Sequence, residues 1–459
     1  MIDKAKFSLI ILLAAVILVS CSPPKVRFEE SEQYSAEPVS TVTRENVHGP
    51  TEVYELSALD EDFLQQSVLL PYYENITSEQ LEYNFLHGAQ SYKGVSARVN
   101  AILPDSVLCA HGNFIYDKRT GRISRSCTDP QCRHLSHEIQ LVFAACPYTQ
   151  IGMCRICGDT VYMCYNNPGV EEIKTPVLAL DRTFREHFYP DLPKGCNVEG
   201  TAGDGRLILN RERYVGYIDD NGWQIPQGEF ELYLYDPVTG ESELVFAPGS
   251  IYFVTCSKSC AYCTMYPENT VYAFTGDFRQ PVNLGKIKML AFLDGAMCYY
   301  DKESGAAYRF DETTGEKTLW ANEDSALARI SYSVYCGDKL YFTRYHTAEE
   351  IYAMDLIPED QKNGIAESAE QFAPSIIYRC DPDGSDIETV YYVPGYRLNG
   401  FSVDGEVIYT EGVFENKGGY FAAYDMSSGV ELRVYCPIQE YHYPGEYEYN
   451  ENWLRAFRW

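Results

Sequence analysis

Asp404-Gly-Glu-Val-Ile-Tyr409 and Tyr424-Asp-Met-Ser-Ser-Gly429 together form one unit of a repeat. The first half is a tight Asp-Gly turn that opens an apolar–aromatic strand. The second is a strand that closes in an Asp-x-x-x-Gly turn. Asp suits both places because its carboxylate bonds nearby backbone, and Gly supplies the positive φ that a tight hairpin needs. Working outward, the first half recurs at Gly337-Asp-Lys-Leu-Tyr-Phe342, Asp294-Gly-Ala-Met-Cys-Tyr-Tyr300, Gly203-Asp-Gly-Arg-Leu-Ile-Leu209 and Gly158-Asp-Thr-Val-Tyr162, with weaker copies near Asp105 and Lys258. The second half recurs at Tyr378-Arg-Cys-Asp-Pro-Asp-Gly384, Tyr308-Arg-Phe-Asp-Glu-Thr-Thr-Gly-Glu316, Leu234-Tyr-Asp-Pro-Val-Thr-Gly-Glu241 and Ile115-Tyr-Asp-Lys-Arg-Thr-Gly121.

Starts at Asp105, Asp159, Asp204, Lys258, Asp294, Asp338 and Asp404 give intervals of 54, 45, 54, 36, 44 and 66 residues. A period near 45 with two hairpins per unit suits the four-stranded blade of a β-propeller. The expected fold is therefore all-β, a propeller of seven blades, with six or eight also compatible. The longest interval contains Pro358 to Phe372, a polar insertion that reads as a surface loop. Thr77-Ser-Glu-Gln80 has the form of a capping box opening a short helix toward Leu86. A second short helix is expected from Ala58 to Gln66.

Composition agrees with strands. The 459 residues include 39 Tyr, 33 Gly and 23 Pro, and 45% are hydrophobic, enough for a large core. Aromatic residues favour a half-buried pleated surface. With 66 acidic against 37 basic residues the net charge is -29. That sign opposes sequence-independent nucleic-acid binding and docking on anionic lipid. It leaves open cationic ligands, neutral sugars, or a role in solubility alone.

The N-terminus carries Lys4 and Lys6, then the apolar run Phe7 to Val19, then Ser20-Cys21. A cationic start, a short apolar stretch and small residues at its end mark a secretory signal. The run is shorter than the roughly 20 residues that span a bilayer. Leu18-Val19-Ser20-Cys21 resembles the lipobox of bacterial lipoproteins. The resemblance implies cleavage before Cys21 and a diacylglyceryl group on its thiol. Each buried methylene of an acyl chain adds about 0.8 kcal/mol, so two or more chains hold stably. The expected divisions are a signal at 1–20, the lipidated Cys21 with a polar tether at 21–55, and a helical lead-in with a first strand at 56–100. The propeller follows at 101–440, and an aromatic closing segment at 441–459.

The repeat units resemble the propeller surface lipoproteins of Gram-positive anaerobes and, more distantly, the propeller domain of low-density-lipoprotein-receptor-related proteins. The likeness covers roughly residues 90–440 and rests on degenerate turns. It implies a fold and a location on the extracytoplasmic face of the membrane, and it carries no activity.

Cysteine is plentiful, at 16 residues. Oxidising compartments favour disulfides, yet Cys298, Cys336, Cys380 and Cys436 stand alone within expected strands, where a thiol behaves as a small hydrophobe. The most distinctive motif is Cys127-Thr-Asp-Pro-Gln-Cys132-Arg-His134, followed by Cys146-Pro147. Cys127, Cys132, His134 and Cys146 have the donor set of a tetrahedral structural zinc, with His137 competing. The spacing is not that of a common zinc finger, and a disulfide or buried thiols in a stapled loop is the favoured reading. A similar Cys-x-Asp-Pro-x-Cys-x-His…Cys-Pro segment occurs in the same surface lipoproteins.

Cys256-Ser-Lys-Ser-Cys260-Ala-Tyr-Cys263 matches the thiolate spacing that holds three irons of a four-iron cluster in radical S-adenosylmethionine enzymes. Its context is a strand-rich repeat rather than an α/β barrel, so alternating strand residues are the preferred account. Cys154-Arg-Ile-Cys157 lacks the strand–helix setting of a redox pair. Asp381-Pro-Asp-Gly-Ser-Asp386 lacks a twelfth-position Glu, since Tyr392 stands there, and reads as a hairpin turn rather than a calcium loop. No serine elbow, phosphate-binding glycine loop or zinc helix is present. The aromatic stretch Glu440 to Trp459 suits a capping segment more than a sugar-stacking surface.

The function expected on these grounds is a membrane-anchored binding or scaffold module with a glycan or a surface protein as partner and no nucleic acid. The alternative is a carbohydrate-active hydrolase or lyase with carboxylates in the propeller mouth. A third is a sensory or assembly component acting through protein partners.

Overall fold

In a computed structural model the structure describes residues 40–43, 49–57, 67–80, 101–109, 114–127, 153–157, 160–164, 178–181, 184, 187–188, 190–193, 195–218, 224–246, 251–257, 260–265, 269–275, 278–293, 296–322, 325–369, 375–392, 396–414 and 418–436. The described chain is mostly strand, arranged as consecutive antiparallel sheets of four strands each. They span residues 101–125, 153–188, 196–246, 251–285, 287–321, 330–392 and 396–436, and are called sheets 1 to 7 in that order. Within each, strand order follows chain order, so every link between neighbours is a hairpin-type connection.

The repeat turns form as the residue types require. In Asp311-Glu-Thr-Thr-Gly315 the Asp311 carboxylate accepts the backbone N–H of Thr313 and Thr314, both at 2.8 Å. The Gly315 N–H returns to the Asp311 carbonyl at 2.8 Å, with Gly315 at φ +73°. Asp117, Asp236 and Asp425 repeat this with Gly121, Gly240 and Gly429. Asp381 keeps the Gly384 N–H to its carbonyl.

Each sheet packs on the next through alternating side chains of its two faces. Tyr262 and Ala273 of sheet 4 meet Met297 and Phe310 of sheet 5. Leu293 and Cys298 of sheet 5 meet Leu340 and Phe342 of sheet 6. Tyr391 of sheet 6 lies against Tyr424 of sheet 7 with ring centroids 4.9 Å apart. The succession returns to its start: Val407, Tyr409 and Phe421 of sheet 7 share a core with Val107, Phe114 and Ile123 of sheet 1. A buried ion pair, Lys118 Nζ to Asp404 Oδ2 at 2.5 Å, spans the same junction. Helix α1 (Pro71–Asn75) bridges it as well, with the Tyr72 N–H on Asp425 and the Tyr73 hydroxyl on Asp105.

Two expectations are corrected. The tether was placed at 21–55, but Ser40–Thr43 and Glu52–Ser57 are strands added to the outer edge of sheet 7. Glu52–Ser57 runs parallel to Val430–Cys436 and buries Val53 and Leu56, whose spacing has no plain period-two signature. The insertion read as a surface loop, Pro358 to Phe372, contains a helix, α3 (Glu359–Ser368), and another, α2 (Ala348–Ala353), stands just before it. Ile351, Ile357 and Ala369 are buried there against sheet 6, an apolar face that the polar composition concealed. The capping box at Thr77 is present: Thr77 Oγ1 accepts the Gln80 N–H at 3.2 Å, and Gln80 Oε1 accepts the Thr77 N–H at 2.8 Å. The helix expected from Ala58 to Gln66 and the segment 441–459 lie outside the described residues.

Candidate functional site

Antiparallel succession divides the connections into two groups. The turns between first and second strands, and between third and fourth, lie at one end of every sheet. The second-to-third and sheet-to-sheet connections lie at the other. The first group is made of short turns and holds most of the Asp–Gly ones, Asp301–Gly305 at the other end excepted, and some of them link neighbouring sheets. Glu312, in a turn of sheet 5, accepts the hydroxyls of Tyr262 at 2.6 Å and Ser257 at 2.7 Å from sheet 4. The second group carries the long insertions, at 126–152, 165–177 and 345–375. Loops held by a rigid scaffold are where binding usually resides.

Of the expected metal ligands, Cys127 stands half-buried just after the last strand of sheet 1, at the loop end. Cys132, His134, Cys146 and the competing His137 lie outside the described residues, as does Cys21. No group of three or more His, Cys, Asp or Glu is placed to hold a metal among the described residues.

The Cys256–Cys263 motif is settled by register. Cys256 lies opposite Ala261, and both face the core shared with sheet 3. Cys263, two residues from Ala261, points the same way, since strand side chains alternate. Cys260 points to the core shared with sheet 5. Thiols on opposite faces of one sheet do not converge on a cluster. Burial raises the Cys260 and Cys263 thiols well above the ordinary cysteine range, and pushes Cys298 and Cys380 up to about 12. These cysteines are core. Asp381–Asp386 is a turn, with the Asp383 carboxylate on the Ser385 N–H at 2.9 Å.

The buried carboxylates are held as ion pairs and hydrogen bonds. Asp404 meets Lys118, Glu231 meets Arg211, and Glu431 meets Arg433. Glu199, on the first strand of sheet 3, meets Arg155 of sheet 2 at 3.3 Å. Its residue is skipped in the pairing of that strand, and Val254, Leu290, Ser331 and Asn399 are skipped likewise in sheets 4 to 7. The bulge frees the Glu199 carbonyl to accept Arg155 Nε at 3.0 Å. Desolvation raises the Glu199 carboxyl, with Arg155 opposing.

Among the described residues, a dense polar cluster at the loop end lies between sheets 5 and 6. Thr347 caps α2 in a full capping box with Glu350. Glu350 also accepts Arg329 Nη1 at 2.9 Å, Arg329 Nη2 at 3.1 Å and Arg344 Nη1 at 3.0 Å. Burial opposes its charge, yet the Thr347 N–H and the two guanidinium groups hold Glu350 down at about 2. His346, 1% exposed, meets the Tyr378 hydroxyl through Nε2 at 2.8 Å, while its Nδ1 is buried without a hydrogen-bond partner. Lys288, on the first strand of sheet 5, donates to the Ile330 carbonyl at 3.0 Å and lies 4.7 Å from the Tyr345 ring centroid. Sequence reasoning missed this cluster. Thr347-Ala-Glu-Glu350 was its one local signal, a capping box that marks a helix start.

No family model matches the chain, and no curated protein matches it. Solved structures do. Acylaminoacyl peptidase from Pyrococcus horikoshii is similar at 12% identity and a TM-score of 0.44, over 72% of this chain and 49% of that one. Oligogalacturonate lyase from Vibrio parahaemolyticus is similar at 10% identity and a TM-score of 0.44, over 75% of this chain and 90% of that one. The β-propeller domain of the trilobed protease from Pyrococcus furiosus is similar at 13% identity and a TM-score of 0.39, over 68% of this chain and 83% of that one. The chain thus spans about half the length of the peptidase.

Proposed function

We propose that this chain is a lipid-anchored, seven-bladed β-propeller that serves outside the cytoplasm as a binding or scaffold module and takes its ligand at the loop end. The observation that carries the reading is the contrast between the two ends. One is built of short turns; the other bears every long insertion. A second consideration weighs against catalysis by carboxylates. Asp404, Glu231 and Glu431 are each paired with a cation, which suits a fixed charge better than a proton carrier.

Cys21 is the proposed lipid attachment point, and its partner is the membrane. The Cys127–Cys146 stretch is proposed as a stapled loop, with structural zinc as the other arrangement of the same donors. A thermal-shift screen against glycans, cell-wall fragments and divalent ions tests the binding reading. A shift with one ligand class and no turnover of it is the expected result; turnover of a glycan would replace this reading with a hydrolase or lyase. Metabolic labelling with an alkynyl fatty acid should mark the wild-type chain and not Cys21→Ala. Loss of stability on chelation, restored by zinc, would establish the metal.

A further inference from the structure

We propose that the loop end between sheets 5 and 6 is an anion-binding site for a carboxylate- or phosphate-bearing group of a small ligand. The proposal deepens the binding reading, on which it rests for the choice of end.

Charge is the first ground. Arg329, Arg344, Lys288 and Lys302 gather where the first strands of sheets 5 and 6 begin, and Glu350 is the carboxylate that the described contacts set against them. Glu350 is shared by both arginines, so their combined charge is only half neutralised. Lys288 has the Ile330 carbonyl and the Tyr345 ring as neighbours, and no ion pair among the described residues. Lys302 is exposed in the turn whose backbone N–H reaches the Lys286 carbonyl at 3.0 Å. In a chain of net charge -29, a local excess of cations stands against the field of the whole molecule.

Convergence is the second ground. Strand alternation points Arg344 toward sheet 5, on the side of Phe342 and Tyr378. It points Lys288 toward sheet 6, away from the face of Ile287 and Met289. The Tyr345 N–H bonds the Arg329 carbonyl at 3.0 Å, which ties the arginine pair to the lysine side. An orphaned donor is the third ground. Arg344 Nε is buried with no hydrogen-bond partner among the described residues. Buried polar atoms without partners are rare and ask for a ligand or ordered water. Guanidinium groups and an ammonium close together suit a planar carboxylate or a phosphate, which accept several charge-assisted bonds at once.

Isothermal titration of the full-length chain in detergent, with sodium phosphate, sodium glucuronate and glucose at matched ionic strength, tests the site. Saturable binding of phosphate, glucuronate or both, with none of glucose, is expected; which anion binds identifies the source of the charge. Lys288→Met and Arg329→Gln should weaken it at least tenfold. Because Arg329 also caps the local fold, Lys302→Gln is the second variant, exposed and outside that network, and should weaken binding about threefold. Absence of binding by both anions, or wild-type affinity in Lys288→Met and Lys302→Gln, overturns the proposal. A glycan that binds through neutral groups alone would overturn it while leaving the binding module intact.

Discussion

Arg433 is fully buried between two carboxylates, with Nη2 2.5 Å from Glu431 Oε1 and Nη1 3.5 Å from Glu55 Oε1. Removing one partner of a buried pair leaves the other charge uncompensated, at about 3–5 kcal/mol. Arg433→Met should therefore lower stability to urea by that order, and Glu431→Gln with Arg433→Met should recover part of it. His346 predicts a pH response. Burial first, then the charge of Arg344, depresses its imidazole to about 4 from an ordinary 6.5. The unfolded chain thus binds the extra proton between pH 6.5 and 4. Stability from this group is complete above 6.5 and declines through that window, at about 1.4 kcal/mol per pH unit at steepest. His346→Gln should flatten the decline in melting temperature measured from pH 7 to 5. Below pH 4.5 the loss of the Glu350 charge takes over, since its carboxyl is held at about 2.

Turns and helices show where local residues suffice. Most of the described Asp–Gly turns could be read in advance, because Asp and Gly act on backbone within five residues; Asp301-Lys-Glu-Ser-Gly305, with the same bonds, went unread. Gly121 and Gly315 share a positive φ, but a Cβ on Gly121 would meet the Val68 and Leu69 backbone at 2.4 Å, whereas Gly315 has open space. Gly315→Ala should cost about 1–2 kcal/mol from the backbone alone. Gly121→Ala should cost clearly more, measured by thermal denaturation of both variants. What escaped reading was non-local. Pro358 to Phe372 looked like a loop because the buried apolar residues described in it, Ala366 and Ala369, are small and few. The bulges at Glu199, Leu290 and Ser331 have no residue signature; they answer to the packing of neighbouring first strands. The candidate site draws Lys288, Arg329, Arg344 and His346 from separate elements, and only Thr347 with Glu350 formed a motif.

For the molecule as a whole, the addition of Glu52–Ser57 to sheet 7 is the feature with the widest reach. It covers the edge of Val430–Cys436, whose backbone would otherwise be free to pair with another chain. It also supplies Glu55 to Arg433 and Tyr435. Deleting residues 22–57 should lower the melting temperature and promote association, read by light scattering. An unchanged melt with a monomeric chain would mean that sheet 7 closes without the strand. Lys118 and Asp404 hold the junction of sheets 1 and 7 from the turn end, and Val107, Phe114, Tyr409 and Phe421 from within.

The pairing of Glu52–Ser57 also sets a clock. Glu55 and Arg433 stand 378 positions apart, and the register runs from Glu52 with Val430 to Ser57 with Tyr435. As the chain is synthesised from its N-terminus, Glu52–Ser57 emerges early with Ser40–Thr43 on one side, and its other side waits for Val430–Cys436 until almost everything else has appeared. Contacts of such long separation form late and slowly. For that interval one edge of this early strand is unpaired, and the chain's exposure to misassembly lasts until Val430–Cys436 arrives.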